Sequence, residues 1–372
     1  MRQIGEIVDT IMAAQKLPWY KREISLLPVS IVDVVTMTQN LSVMLEAGLT
    51  VPESLSVLFE QSNGKLKTIL GRVSSEVQGG EMLGDALEKY GREFGPIFIS
   101  AVKVGESSGT LAKNLTHVAN QMERDLEVRR NVQGAMLYPS IIVIATFILG
   151  LALATFVLPQ MTSIFRSLDV ELPWTTRTLI WASNLFQEHG AILTPVIFIG
   201  VISLVYLLRR RFMQPLVHRV LLRLPLIGTF VHELNRARFC RSIGTMLQSG
   251  IPIQETLGII ADAMPNYIYR LSIIVMHERI ESGDSFAQIV EEYPHLYPKM
   301  VQRMIAVGER SGGLADSLLY LARFYEQKVS IKAKNISTII EPLLLIVIGV
   351  AVAFVALAIF TPIYSVTEGL TF

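Results

Sequence analysis

The sequence predicts an all-α membrane protein with two repeated cytoplasmic six-helix bundle domains and three transmembrane helices. Three observations predict it. First, one stretch occurs twice: Gly105, Pro139 and Pro159 return as Gly308, Pro342 and Pro362, each 203 residues later. Landmarks held in register over such a span mark an internal duplication, and a duplication fixes the architecture. Second, each copy passes from a polar helical pattern into an uncharged apolar run, residues 141–158 and 343–360. Each run has about the 20 residues that a helix needs to cross a bilayer. Third, the polar stretches lack the period-two alternation of strands.

Composition agrees. The 372 residues are 51% hydrophobic with mean hydropathy +0.45, too apolar for an ordinary soluble chain. Yet 17% are charged, too many for a bundle lying wholly in lipid. A net charge of +1 argues against nucleic acid as a partner, which calls for a strongly basic face. Cys240 stands alone, which excludes an intrachain disulfide and favours a small buried apolar residue. The first fifteen residues mix Arg2, Glu6 and Asp9 into the apolar positions, unlike a signal peptide, so the N-terminus is expected to stay cytoplasmic.

In chain order, residues 1–32 form a lead-in with Ile4, Ile7, Val8 and Ile11 at helical spacing, either a surface helix or tail or a membrane or partner contact. Residues 33–135 form the first cytoplasmic domain. Val34, Met37, Leu41, Met44 and Leu45 make an apolar stripe that Gly48 ends as a residue tolerant of positive φ. Thr50 and Glu53 then have capping-box spacing around Pro52. About six helices fit before residue 133. Residues 136–158 are the first span, 159–190 a periplasmic loop containing Leu172 and Pro173, and 191–208 the second span. Trp174 and Trp181 precede that span, where an interfacial belt would place them. Residues 209–235 are a basic cytoplasmic linker, 236–338 the second domain, 339–361 the third span and 362–372 a periplasmic tail. In the second domain Gly250 takes the place of Gly48, and Pro252 that of the capping Thr50. Basic residues cluster before span one (Arg124, Arg129, Arg130) and between spans two and three (Arg209–Arg211, Lys328, Lys332, Lys334). The loop between spans one and two carries only Arg166 and Arg177. By the positive-inside rule both domains are cytoplasmic and the C-terminus is periplasmic.

No catalytic constellation is present. There is no P-loop and no His-Glu-x-x-His, no Cys/His cluster for a metal, and the six histidines (117, 189, 218, 232, 277, 295) share no face. No cofactor is expected. The duplicated Gly105-Glu106-Ser107-Ser108-Gly109 and Gly308-Glu309-Arg310-Ser311-Gly312 read as a helix stop at the first glycine and a restart, with Ser107 or Ser108, and Ser311, capping the long helix that follows. Glu106 and Glu309 then lie near a helix start, where the macrodipole favours an anion. An exposed partner-contact loop is the alternative. Tyr138-Pro139 and Glu341-Pro342 open the first and third spans. Each proline is either a kink or a passive helix-start residue. Glu341 sits at the membrane boundary, as a functional ionisable group or as a water-facing acid.

These residues carry a resemblance. The duplicated Met-Leu-x-x-Gly-[Leu/Ile], the Gly-Glu-x-Ser-Gly repeat, Tyr138-Pro139, Leu172-Pro173 and Glu341-Pro342 together resemble the F-domain family. These are the inner-membrane platform proteins of type II secretion and type IV pilus machines, of the GspF and PilC types. The resemblance runs from about residue 33 to 366. It implies an oligomeric, non-enzymatic protein that contacts a hexameric cytoplasmic ATPase, pilins or pseudopilins and other inner-membrane assembly proteins. The short lead-in favours the pilus system over type II secretion. A transporter, which also carries repeats, or a receptor or scaffold without a motor partner, is the rival reading.

Overall fold

The computed structural model describes residues 28–152, 212–225 and 227–369, with scattered positions between 174 and 210. Among the described residues every regular element is an α-helix. The lead-in up to residue 27, Pro159, and the Leu172-Pro173 pair lie outside them, as does much of the second span.

The first repeat comprises α1 (Ile31–Glu46), α2 (Val51–Gln61), α3 (Gly64–Gln78), α4 (Leu83–Glu88), the single turn α5 (Gly91–Phe94), α6 (Pro96–Ser108) and α7 (Leu111–Ala152). Ser30 accepts the Val32 N–H to start α1. At its other end the Leu49 N–H reaches back to the Met44 carbonyl while Gly48 sits at φ +90°, a turn that only glycine makes without strain. Thr50 and Glu53 form the expected reciprocal capping box at the start of α2. Val34, Met37 and Leu41 point inward with Leu58, Leu70, Leu83, Val102 and Leu115 to make one core.

The second repeat follows the helix α8 (Gln214–Arg223). It comprises α9 (Ile227–Gln248), α10 (Ile253–Ala263), α11 (Tyr267–Glu281), α12 (Phe286–Glu291), α13 (Lys299–Ser311) and α14 (Leu314–Gly369). Gly250 repeats the Gly48 turn at φ +84°, with the Ile251 N–H on the Met246 carbonyl. Pro252 starts α10 without a side-chain cap. Its core is richer in rings: Phe239 and Tyr297 lie 4.6 Å apart, and Tyr269 meets Tyr297 edge-on. Cys240 is buried there, and burial pushes its thiol well up, which leaves it inert.

Two helices leave their domains. Leu111–Gly150 in α7 and Leu314–Ala358 in α14 are long and apolar enough to cross a membrane. Their apolar ends are not core helices: Ile141, Ile144, Phe147, Leu345, Val350 and Phe360 are all more than half exposed. Each helix runs unbroken from a packed domain into its apolar segment, because neither Pro139 nor Pro342 interrupts it. Nor does α14 stop at Pro362, since it continues to Gly369. Trp174, ahead of the second expected span, lies with its ring 6.1 Å from that of Phe354 of α14 and tilted against it by 55°.

Candidate functional site

The two Gly-Glu-x-Ser-Gly segments form the same device twice, though not the one expected. Helix α6 does not stop at Gly105. It continues to Ser108 and ends at Gly109, which is left-handed at φ +71°; Gly312 ends α13 at φ +72°. The serines do not cap the next helix. Ser107 and Ser108 donate back to the Val104 carbonyl, and Ser311 to the Gly308 carbonyl. Helical dihedrals extending past Gly105 leave these hydroxyls facing carbonyls of their own helix.

Gly105 serves close approach instead. A Cβ there would lie 2.8 Å from the Leu111 Cα, and one at Gly308 2.9 Å from the Leu314 Cα. The bare backbone lets the long helix fold back against its predecessor. Glu106 and Glu309 do sit at a helix start, but at that of a different helix. The Glu106 carboxylate accepts the Leu83 and Gly84 N–H groups of α4 at 2.8 and 2.9 Å. Glu309 accepts the Phe286 and Ala287 N–H groups of α12 at 2.8 and 2.9 Å, and also the Ser285 hydroxyl at 2.7 Å. Each carboxylate thus satisfies orphan donors at the positive end of a six-residue helix. In the first repeat Lys103 ties the same two helices further, through Asp85 and Glu88. Position 306 in the second repeat is Ala.

The repeats meet face to face. Asn114, buried on α7, donates to the Ala101 carbonyl of its own domain and to the Ser249 carbonyl of the other. Gln121 donates to the Ser242 hydroxyl. Farther along, a polar cleft of about 610 Å³ opens between α7 and α14. Asn120, Arg124 and Glu127 line one wall, and Arg323, Gln327 and Ser330, each 203 residues later, line the other. Equivalent faces of the two copies therefore oppose one another. Arg241 closes the cleft, pairing with Glu326 through two bonds of 2.8 and 2.6 Å.

Nearer the apolar ends, Met136, Pro139, Ser140, Val143, Ile144 and Ile340 surround an apolar cleft of about 400 Å³. Here the duplicated motif is used asymmetrically. Pro139 is buried, whereas Tyr138, Glu341 and Pro342 are exposed. Sequence reasoning missed Asn114, Gln121, Ser242, Arg241 and Glu326. Polar residues on a helix read as solvent-facing until a partner domain covers them. The one available signal was the position of Asn114, between the apolar Leu111, Leu115 and Val118.

No group of three or more His, Cys, Asp or Glu among the described residues is arranged to hold a metal. The architecture is that of a duplicated helical protein, each copy continuous with a helix apolar enough for a bilayer. The chain belongs to the family described as type II secretion system (T2SS), protein F, which matches residues 37–159 and 239–362, one segment in each copy. It is similar to the type IV pilus assembly protein PilC of Thermus thermophilus, with 33% identity over 90% of this chain and 82% of that protein. It is similar to the type II secretion system protein F of Aeromonas hydrophila, with 32% identity over 89% of this chain and 86% of the relative. To the protein F of Pseudomonas aeruginosa it is 30% identical, over 90% of this chain and 83% of that one.

Proposed function

We propose that this chain is a non-enzymatic inner-membrane platform protein of a type IV pilus assembly machine. In this reading it couples a hexameric cytoplasmic ATPase to the extraction and polymerisation of pilins. The observation that carries the reading is mechanical. Helices α7 and α14 each run without interruption from a packed polar domain into an exposed apolar segment. A continuous helix transmits rotation or displacement where a flexible linker would absorb it. The carboxylate latches and the Asn114 bridge stiffen the domains that would receive the push. The further elements are three spans, two cytoplasmic six-helix domains and a homo-oligomer.

The equivalent platform of a type II secretion system is the second reading, supported by relatives named for each machine. A transporter fits less well, because the apolar runs 141–158 and 343–360 carry no charged residue at their centres. Co-purification of the full chain with its cognate assembly ATPase from membranes tests the coupling. Retention of the ATPase supports it, and a chain that assembles pili while binding no ATPase overturns it.

A further inference from the structure

Helix α8 lies in the basic linker, which the proposed function leaves without a role. One face of α8 is docked. Val217, His218, Leu221 and Leu222 are partly buried, and Leu222 packs on the core of the second repeat. The His218 Nδ1 accepts the Tyr267 N–H at 3.0 Å. A Cβ at Gly228 would lie 2.4 Å from the Leu222 carbonyl oxygen, so the turn into α9 is tight and α8 is held in place.

Among the described residues, none covers the opposite face. Phe212 is 88% exposed, Leu216 57%, Val220 49% and Leu224 40%. Leu216 and Val220, one turn apart, share one face of the helix, and Phe212 and Leu224 flank its two ends. Arg219 and Arg223 stand exposed beside it. No Asp or Glu occurs from Gly190 to His232, whereas five arginines do, at 209, 210, 211, 219 and 223. Immediately before α8 the described helical positions expose Ile202, Leu204, Tyr206 and Leu207. Arg210 donates to the Tyr206 hydroxyl and lies 4.6 Å over its ring. A tyrosine joined to an arginine at the end of an apolar run is the pairing expected at the headgroup level.

We infer that α8 is a membrane-surface helix: its Leu216 and Val220 face, with Phe212 and Leu224 at either end, lies in the headgroup region of an anionic bilayer, and Arg219 and Arg223 bind lipid phosphates. The chain's continuity with the second span and the uniform positive charge select lipid over a protein partner. The helix would then fix the height and tilt of the second domain beneath the membrane. The inference rests on the spanning reading of the chain.

The test uses the full-length chain reconstituted one copy per lipid nanodisc, with single cysteines carrying bimane; wholly buried Cys240 stays unlabelled. Leu216→Cys and Val220→Cys are compared with Ser75→Cys, exposed on α3, and Ile144→Cys, exposed on the apolar part of α7. With acyl-chain nitroxide lipids in phosphatidylglycerol discs, quenching at 216 and 220 is expected to exceed that at 75 by at least about threefold. Arg219→Glu with Arg223→Glu is expected to lower it to the value found in phosphatidylcholine discs. Quenching at 216 and 220 no greater than at 75, while 144 is quenched, overturns the inference and spares the spanning reading. Quenching that requires two chains per disc also overturns it, assigning that face to a second copy. If 144 is not quenched, the spanning reading fails and the inference falls with it.

Discussion

The Glu106 carboxylate holds the Leu83 N–H, 23 residues earlier in the chain, at 2.8 Å, and Glu309 holds Phe286 in the same way. The shared latch accounts for the duplicated glutamate without invoking catalysis: a six-residue helix cannot hold its own first turn, so a carboxylate from a longer neighbour does. Glu106→Ala and Glu309→Ala are each expected to cost about 1–2 kcal/mol locally. Amides at the starts of α4 and α12 should then exchange hydrogen roughly tenfold faster, by mass spectrometry of the solubilised chain. Unchanged exchange in both variants would remove the latch. Glu→Gln, which keeps acceptor oxygen, should fall between.

Two glycines four residues apart should respond differently to alanine. At Gly105 the new Cβ meets backbone of the next helix at 2.8 Å, and overpacking of that kind costs about 1–3 kcal/mol or more. At Gly109 nothing lies within 4 Å of a Cβ, so only the left-handed φ is penalised, by about 1–2 kcal/mol. Asparagine should rescue position 109, which tolerates αL, and not position 105. Urea midpoints of the four variants, alanine and asparagine at each site, check this; equal rescue at both sites contradicts it.

The buried Asn114 bridges the repeats through the Ser249 carbonyl at 3.2 Å. Asn114→Leu is expected to leave each domain folded yet loosen their contact. Spin labels at Glu60 and Asp262 should show a broadened distance distribution by pulsed EPR. An unchanged distribution would mean that the repeats are held by other contacts.

Acid should weaken the second domain. Burial, aided by Arg236 and His295, pulls His232 down to about 4, and burial also lowers His218. A histidine with a depressed folded pKa binds its proton more readily when unfolded. Its contribution is therefore intact above about 6.5 and is lost as pH falls towards 4. His232→Gln keeps a partner for Tyr269, which lies 2.9 Å from the imidazole, and should reduce the loss of urea resistance between pH 7 and pH 5. An equal loss in both chains would exclude His232 as the source.

Glu341 is exposed at the start of the apolar part of α14. If it bonds a polar partner helix across the membrane boundary, Glu341→Leu should impair pilus assembly while Glu341→Gln is milder. Full, equal activity of both variants in a piliation assay would show that the acid merely faces water.

Much of the fold was legible because its signals are local or periodic. Gly48, the Thr50–Glu53 box and the apolar stripe from Val34 to Leu41 each act within one or two turns, and each was found where expected. The duplication exposed the importance of Glu106 and Glu309, and the macrodipole argument named the right attraction. It named the wrong helix, because the partner lies 22–23 residues back and sequence spacing carries no record of which N-terminus folds alongside. The Gly105 reading failed for a related reason. A glycine kept for close approach and one kept for a left-handed turn look alike in sequence, and only packing against Leu111 separates them. The asymmetry of Pro139 and Pro342 was equally hidden, since both copies carry the same residue and only one faces the neighbouring helix.

The central claim is that two copies of one helical module stand on the same side of the membrane, each rigidly joined to its own crossing helix. Single cysteines at Glu60 and Asp262, both exposed, placed in the full chain in intact cells and in inverted vesicles, test it directly. The account predicts that both react with a membrane-impermeant maleimide in inverted vesicles and neither reacts in cells. Labelling of one from outside intact cells while the other is protected would contradict it.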